Sequence, residues 1–398
     1  MSKTKDIINQ GDQYILHTYN RFPIVIDRGE GVYLYDTDGN KYLDFFAGIA
    51  VSGIGYGNKT YTDALHAQVD KLTHISNLFY TEPLAEAAKG LCEASHMDKI
   101  FFTNSGAEAN EGAIKMARKY HYAKGNTNKT EIIAIDHSFH GRTMGAVAVT
   151  GKKEYREAFG PLIGTVHFAE YNNLDSVLQC VNDNTCAIIL ETLQGEGGIY
   201  TADEEFIKGI RKICDDNDIV MILDEVQCGF GRTGKMFAYE HYGILPDIVT
   251  MAKAIGNGVP VGAFACKDNV AALVPGDHGS TYGGNPLVTA AINATLKIFE
   301  EENILSNVQE TGKYMYDELE KLMAKHDTIT AHRGMGLMQG IVLSVELGPV
   351  ITKAREKGLL IISASGNVIR FLPPLVITKS EVDQMIRIMD EVLAGEEN

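Results

Sequence analysis

The chain has 398 residues, 45% hydrophobic and 22% charged, which is ordinary for a soluble globular protein large enough for two or three domains. Its 52 acidic residues outnumber its 36 basic residues and give a net charge of −16, which argues against a nucleic-acid or anionic-membrane partner. The N-terminus has no apolar signal core, no apolar run approaches the length of a membrane span, and the six scattered cysteines include no CxxC pair. We therefore expect a cytoplasmic protein with reduced thiols.

The N-terminal part of the chain predicts a group of short strands between helices. Alternating residues from 23 to 46 indicate strands, with Asp38–Gly39 as a hairpin turn, and a glycine-rich loop follows at 48–57. Amphipathic patterns indicate helices at 4–20, 60–73 and 82–95.

From Lys99 onward, short apolar runs alternate with amphipathic helices, as in βαβ units. The runs are KIFFTN, EIIAID, TCAIILE, IVMILDE, DIVTMA and VGAFAC, with helices at 106–122, 141–148 and 204–217. Further helices are indicated at 285–300, 303–325, 349–357 and 379–393, and further strands at 338–345, 359–363 and 367–371. We expect an α/β chain in which residues 75–285 form a large domain on a mixed, mostly parallel sheet. Residues 286–398 would supply a long helix and, together with residues 1–74, a small α+β domain.

The loop after the first of these runs joins a strand to a helix. Ser105 and Glu108 have the S-x-x-E spacing of a capping box. Gly106 and Ala107 have almost no side chain, so an anion could approach the free N–H groups of the helix. The motif alone is consistent with either an ordinary helix cap or a phosphate site.

The loop after EIIAID contains two histidines, an aromatic residue and an arginine. A metal site at His137 and His140 lacks a convincing set of further ligands. Stacking by Phe139 and binding of a carboxylate by Arg142 fit the loop better.

Charged side chains also follow three other apolar runs. Glu191 and Glu196 follow TCAIIL, either as solvated loop charges or as site residues. Asp224 ends IVMIL and needs a partner if it is buried, such as a protonated pyridine nitrogen. Lys253 follows DIVTMA among small residues, either as a surface lysine or as a desolvated Schiff-base amine. The loop after Asp224 contains GFGRTG, a formal but isolated match to an NAD-binding fingerprint.

Two polar features near the C-terminus each allow two interpretations. Ser280 and Thr281 lie in a glycine-rich turn before a long helix and could cap it or bind phosphate. Arg370 lies inside an apolar strand, where it could form a structural ion pair or bind a second carboxylate.

These motifs occur together in the order and spacing of a known family. NSGAEAN, DHSFHGRT, ETLQGEGG, LDEVQCGFGRTG, AKAIGNGVPVGA, GSTYGGNP and IRFLPP resemble motifs of the class III pyridoxal-phosphate-dependent aminotransferases. The resemblance runs from about Tyr19 to the C-terminus. It implies the aspartate aminotransferase-like fold type I, pyridoxal 5'-phosphate as cofactor, no metal, and a homodimer with shared active sites.

The resemblance also implies roles for the cofactor-binding residues. Lys253 would bind the cofactor covalently and act as general base and acid, and Asp224 would pair with the pyridine nitrogen. The other implied contacts are Gln227 on the ring hydroxyl, Val226 and Phe139 on the two ring faces, Ser105, Gly106 and Ala107 on the phosphate, and Thr281 on the phosphate in the other subunit.

For the substrate, the resemblance implies a site that recognises two different amino donors. Arg142 would bind a carboxylate of each, and Ser280 would lie beside the substrate. Glu196 would pair with Arg370 when a δ-amine donor is bound, and would swing aside so that Arg370 can bind the α-carboxylate of glutamate.

Within the class, YNRFPIVIDRGEGVYLYDTDGNKYLDFFAGIAV and HISNLFY most resemble the acetylornithine branch. This implies transfer of the δ-amino group of N2-acetyl-L-ornithine to 2-oxoglutarate, in arginine biosynthesis. Succinylornithine, succinyldiaminopimelate, ornithine and 4-aminobutyrate are alternative donors, and a class III racemase is a further alternative. Ile49 stands where ornithine-specific members place a tyrosine, which favours an acylated donor. A NAD-dependent oxidoreductase is the alternative from another class of enzyme.

Overall fold

The computed structural model describes residues 3–395. Its helices are α1 (Lys3–Tyr14), α2 (Ala47–Ala50), α3 (Lys59–Lys71), α4 (Glu82–Ser95), α5 (Gly106–Ala123), α6 (Met144–Ala148), α7 (Leu174–Cys180), α8 (Glu204–Asn217), α9 (Pro286–Glu301), α10 (Ile304–Lys325), α11 (Leu347–Glu356) and α12 (Lys379–Ala394). Its strands are β1 (Ile26–Glu30), β2 (Tyr33–Asp36), β3 (Lys41–Asp44), β4 (Lys99–Thr103), β5 (Glu131–Ile135), β6 (Val166–Ala169), β7 (Thr185–Leu190), β8 (Leu193–Gln194), β9 (Tyr200–Thr201), β10 (Val220–Asp224), β11 (Ile248–Ala252), β12 (Gly262–Cys266), β13 (Ile329–Met335), β14 (Met338–Leu343), β15 (Leu359–Leu360), β16 (Ile362–Ala364) and β17 (Val368–Phe371).

The centre of the fold is a seven-stranded sheet with the order β4-β12-β11-β10-β7-β5-β6. β12 runs antiparallel to both of its neighbours, and the other strands are parallel to one another. Successive residues of each strand point to opposite faces. Ile222 of β10 therefore packs in the cluster that includes Ala113 of α5, and Leu223 packs in the larger core with Phe206 of α8. Both faces are buried, which explains the continuous apolar runs and confirms the predicted mixed, mostly parallel sheet.

Two smaller four-stranded sheets contain the strands from the two ends of the chain. One has the order β1-β2-β3-β15, so it combines N-terminal strands with a C-terminal strand, and the other has the order β13-β14-β17-β16. The predicted hairpin at Asp38–Gly39 is confirmed, because β2 and β3 pair antiparallel across it. The domain boundaries at 75 and 285 stay a prediction.

The single strand predicted at 359–363 is two strands. β15 pairs in parallel with β3, whereas β16 pairs antiparallel with β17. The chain changes sheets at Ile361, which is itself buried. A local apolar pattern cannot reveal this change, because both halves are strand and only their distant partners differ.

Two predicted helices are shorter in the structure. The helix predicted at 4–20 ends at Tyr14, because none of its residues is buried and the following ILHTYN has weak helix propensity. The helix predicted at 141–148 is confined to α6, because Gly141 has a φ of 133° and Thr143 is the residue before the first helical turn. The sequence patterns also missed β6, α7 and β13.

The glycine-rich loop contains one left-handed turn. Ala47, Gly48, Ile49 and Ala50 of α2 all have positive φ, between 47° and 64°. Each non-glycine residue in this conformation costs about 1–2 kcal/mol. Asp44 stabilises the entry to the turn, since its Oδ1 accepts hydrogen bonds from the backbone of residues 46 and 47 at 2.8 and 2.9 Å.

Candidate active site

The predicted polar loops meet at the carboxyl edge of the central sheet. They enclose a cavity of about 450 Å³. In α/β sheets, ligands bind outside the carboxyl ends of the strands, so the cavity lies where a site is expected. The predicted site residues that line it are Ser105, Gly106, Ala107, Phe139, Arg142, Glu196, Asp224, Val226, Gln227 and Lys253.

Three predicted site residues lie outside this wall. Arg370 on β17 reaches it through hydrogen bonds to two wall residues. Ser280 Oγ lies at the rim, 3.2 Å from Asn104 Nδ2, which donates to it. Thr281 is exposed and lies outside the cavity of its own chain.

The start of α5 provides an anion-binding end of the cavity. Ser105 Oγ accepts the backbone N–H of Glu108 at 3.2 Å, as predicted for a capping box. The Glu108 carboxylate accepts the N–H of Asn104, one residue earlier than in the standard box. A Cβ on Gly106 would lie 2.7 Å from Val226 Cγ1, so a larger residue there would displace Val226. The first N–H groups of the helix have no intrahelical partners, and the helix dipole favours an anion beside them.

Asp224 is buried at the end of β10 and is held by three donors. Its Oδ2 accepts a hydrogen bond from Asn110 Nδ2 at 2.8 Å and lies 2.7 Å from His140 Nδ1. A carboxylate only accepts, so His140 Nδ1 carries the proton. Oδ1 accepts the N–H of Val226 at 3.0 Å. Burial would raise the pKa of Asp224, but the contact with His140 and the hydrogen bonds from Val226 and Asn110 together outweigh it, so this pKa lies below its ordinary value.

Lys253 follows β11 and faces the same cavity. Its backbone φ is 50°, an uncommon conformation for a non-glycine residue that concentrates at functional sites. Burial, followed by the nearby charge of Arg370, lowers the pKa of Lys253 to about 8, although Asp224 acts in the opposite direction. About a tenth of this amine is therefore neutral, and nucleophilic, at pH 7, far more than for a lysine with an ordinary pKa.

Arg142 lies at the cavity mouth without an acidic partner. Its guanidinium carbon is 3.8 Å from the ring centroid of Tyr155 and 5.3 Å from that of Phe139. Within residues 3–395, no carboxylate forms an ion pair with it. An exposed cation held by aromatic rings is available for a substrate carboxylate.

Arg370, in contrast, is buried and already paired. Its Nη2 donates to Glu196 Oε2 at 3.1 Å, and its Nη1 donates to Gln227 Oε1 at 3.0 Å. Its Nε has no hydrogen-bond partner among residues 3–395. The structure thus contains the ion pair that the sequence left as one of two interpretations.

The comparisons with known proteins agree with this arrangement along the whole chain. A sequence model of the family described as aminotransferase class-III matches residues 14–393. The chain belongs to the class III aminotransferases. It is 47% identical over 389 residues to the acetylornithine aminotransferase of Caldanaerobacter subterraneus subsp. tengcongensis, which covers 98% of this chain and 99% of the relative. It is also 47% identical over 380 residues to that of Clostridium acetobutylicum, covering 95% and 98%. A crystal structure of the ornithine aminotransferase from Toxoplasma gondii superposes with a TM-score of 0.96 at 29% identity, covering 100% of this chain and 96% of the other.

Class III aminotransferases use pyridoxal phosphate, and the residues of this cavity fit that group. The side-chain-free start of α5 at Gly106 suits a phosphate. The carboxylate of Asp224 has remaining acceptor capacity for a protonated ring nitrogen. The lowered pKa of Lys253 suits covalent capture of an aldehyde.

The NAD alternative for this aminotransferase is wrong. Residues 229–233 are buried in the protein, and a Cβ on Gly231 would lie 2.6 Å from the ring of Phe299. The buried Arg232 spans the loop and donates to backbone carbonyls. Only a short 3-10 turn, Ala238–Tyr242, follows the loop. A dinucleotide site needs an open glycine loop that leads directly into a helix N-terminus.

Several residues around the site were missed or given another role in the sequence interpretation. His140 was considered only as a metal ligand, and in residues 3–395 no three potential ligands are grouped to hold a metal. Asn110 carried a usable signal, since it is a polar residue on the apolar face of α5. Lys152 and Tyr155 carried no sequence signal that points to the site.

No helix among the described residues is long and apolar enough to cross a membrane.

Proposed function

We propose that this class III aminotransferase transfers the δ-amino group of N2-acetyl-L-ornithine to 2-oxoglutarate. The products are N-acetyl-L-glutamate 5-semialdehyde and L-glutamate, and the reaction belongs to arginine biosynthesis in the cytoplasm. The observation that carries this proposal is the 47% identity to two relatives named acetylornithine aminotransferase, each covered almost completely.

The cavity residues have the properties that transamination requires. Pyridoxal phosphate, when bound, supplies an electron sink beside the amino carbon of the substrate. Lys253 Nζ, with its pKa of about 8, can take a proton from that carbon and return it. Asp224 would place its negative charge beside the ring nitrogen and keep a proton there. Phe139 and Val226 would flank the ring, Gln227 would bind its hydroxyl, and Ser105, Gly106 and Ala107 would hold the phosphate.

Two arginines account for the two amino donors. Arg142 binds the α-carboxylate of acetylornithine while Glu196 neutralises Arg370. When L-glutamate enters, Glu196 leaves Arg370, which then binds the second carboxylate. Ser280 lies at the rim beside the substrate. One pocket thereby serves both halves of the reaction.

Free ornithine is the second candidate donor, because the chain superposes closely on an ornithine aminotransferase. The identity to that enzyme is 29%, well below the 47% of the acetylornithine relatives. Initial rates with N2-acetyl-L-ornithine, N-succinylornithine, ornithine, N-succinyldiaminopimelate and 4-aminobutyrate, each against 2-oxoglutarate, test the proposal. We expect acetylornithine to have the highest kcat/KM. A tenfold advantage for free ornithine or 4-aminobutyrate, about 1.4 kcal/mol of transition-state discrimination, would refute it.

We also propose that the active enzyme is a homodimer in which Thr281 binds the phosphate of the partner's cofactor. The exposed Leu78, Phe79 and Tyr80 support this arrangement, because large apolar side chains at the surface mark interfaces. They follow Asn77, whose side chain donates to the backbone of the loop that contains Thr281.

Mixed subunits test this arrangement. A Lys253→Ala subunit combined with a Thr281→Ala subunit forms one complete site if Thr281 acts across the interface. We therefore expect partial recovery of activity on mixing. A heterodimer that stays as inactive as its parents contradicts the cross-subunit role.

A further inference from the structure

Glu196 is held from two sides. Its Oε2 lies 3.1 Å from Arg370 Nη2, as described above. Its Oε1 lies 3.4 Å from Lys152 Nζ and 3.3 Å from the hydroxyl of Tyr155. The carboxylate therefore bridges Arg370 and a second group of donors on the segment after α6.

This second group is built into the site wall. The Lys152 side chain is only 14% exposed, and its Nζ also lies 3.4 Å from the Tyr155 hydroxyl, to which it can donate. Within residues 3–395, no other carboxylate pairs with Lys152. An ion pair in this position is more desolvated than the i,i+4 pairs on the helix surfaces, so loss of one partner costs more here than it does at an exposed pair.

Tyr155 connects the two arginines. One face of its ring carries the Arg142 guanidinium, and its edge-to-face contact with Phe139 has a centroid distance of 6.1 Å. Its hydroxyl contacts Glu196, the partner of Arg370. A single side chain thus touches both Arg142 and the carboxylate that neutralises Arg370.

Release of Arg370 requires another partner for Glu196. A carboxylate that leaves a buried arginine loses its ion pair, and only another donor in its new position can replace that contact. We propose that Lys152 and Tyr155 form the receiving position that holds Glu196 while Arg370 binds a dicarboxylate. Glu196 then moves by a side-chain rotation with one oxygen already in place. This inference rests on the proposed function and identifies Lys152 and Tyr155 as positioning residues for the dicarboxylate half of the reaction.

Lys152→Met tests the receiving position in the holoenzyme. The methionine keeps an unbranched side chain and removes the charge. Glutarate, a dicarboxylate without an amino or keto group, is the binding probe, measured by calorimetry. We expect its Kd to rise about tenfold, or about 1.4 kcal/mol. In single-turnover reactions we expect kcat/KM to fall about tenfold for L-glutamate and to stay within twofold for N2-acetyl-L-ornithine.

Three variants serve as comparisons. Lys153→Met removes the same charge from a side chain that is 80% exposed and points to Glu157, and should change neither measurement. Lys152→Arg should retain most of the glutarate affinity. Tyr155→Phe keeps the ring under Arg142 and loses only the hydroxyl, so it should weaken glutarate about threefold without affecting acetylornithine.

The outcomes separate this inference from the proposed function. Unchanged glutarate affinity in Lys152→Met, or equal losses for both donors, refutes the receiving position. A wild-type preference for another donor refutes the proposed substrate, but the glutarate and glutamate measurements remain valid because they involve only the dicarboxylate.

Discussion

The lowered pKa of Lys253 predicts how the apoenzyme captures its cofactor. Only the neutral amine attacks an aldehyde, so the rate of covalent capture follows the deprotonated fraction. With a pKa of about 8, that fraction is about 0.1 at pH 7 and about 0.9 at pH 9. We therefore expect the capture rate to rise about tenfold over this range and then to level off. A lysine with an ordinary pKa near 10.4 would show a rise of about a hundredfold and no plateau.

The same reasoning predicts the effect of the neighbouring cation. Burial is the first cause of the lowered pKa and Arg370 is the second, so Arg370→Gln should move the midpoint upward without restoring an ordinary value. A rise of half a pH unit would slow capture at pH 7 about threefold. Arg387→Gln removes an equal charge from an exposed ion pair on α12 and should leave the midpoint unchanged.

Stopped-flow absorbance of apoenzyme mixed with pyridoxal phosphate measures this rate. Nα-acetyl-lysine in place of the protein corrects for the ionisation of the cofactor itself. A capture rate that rises in parallel with that of the free lysine derivative, up to pH 10, would show that the cavity does not lower the pKa of Lys253.

Three further perturbations have expected outcomes. Gly106→Ala places a Cβ 2.7 Å from Val226 and should weaken cofactor retention during dialysis at least about tenfold, whereas Gly348→Ala, with nothing within 4 Å, should retain the cofactor normally. Asp224→Asn removes a buried negative charge and should lower kcat about a hundredfold or more. Normal activity with acetylornithine would contradict this role of the charge. Leu91→Ala truncates a side chain that is 0% exposed and should destabilise the protein by about 2–5 kcal/mol, visible as a lower Tm; an unchanged Tm would mean that the cavity refills completely.

The local patterns were sufficient wherever a signal depends on neighbouring residues. The apolar runs of β7, β10, β11 and β12 are buried on both faces, so their composition alone indicates a covered sheet. The cap at Ser105 and the hairpin at Asp38–Gly39 are likewise short-range features. The predictions from local patterns failed where distant strands determine the pairing. At 359–363, one apolar run contributes strands to two different sheets.

The sequence by itself determined the type of sheet, the family and the residues that follow the strand ends. These features depend on residue types and motif order, which can be read directly from the sequence. Tertiary structure alone decided which of those residues share a cavity. It buried Asp224 between Asn110 and His140, lowered the pKa of Lys253 by desolvation, and placed Glu196 between Arg370 and Lys152. These properties depend on distances between residues that are far apart in the sequence, so the spacing of residues along the chain cannot predict them.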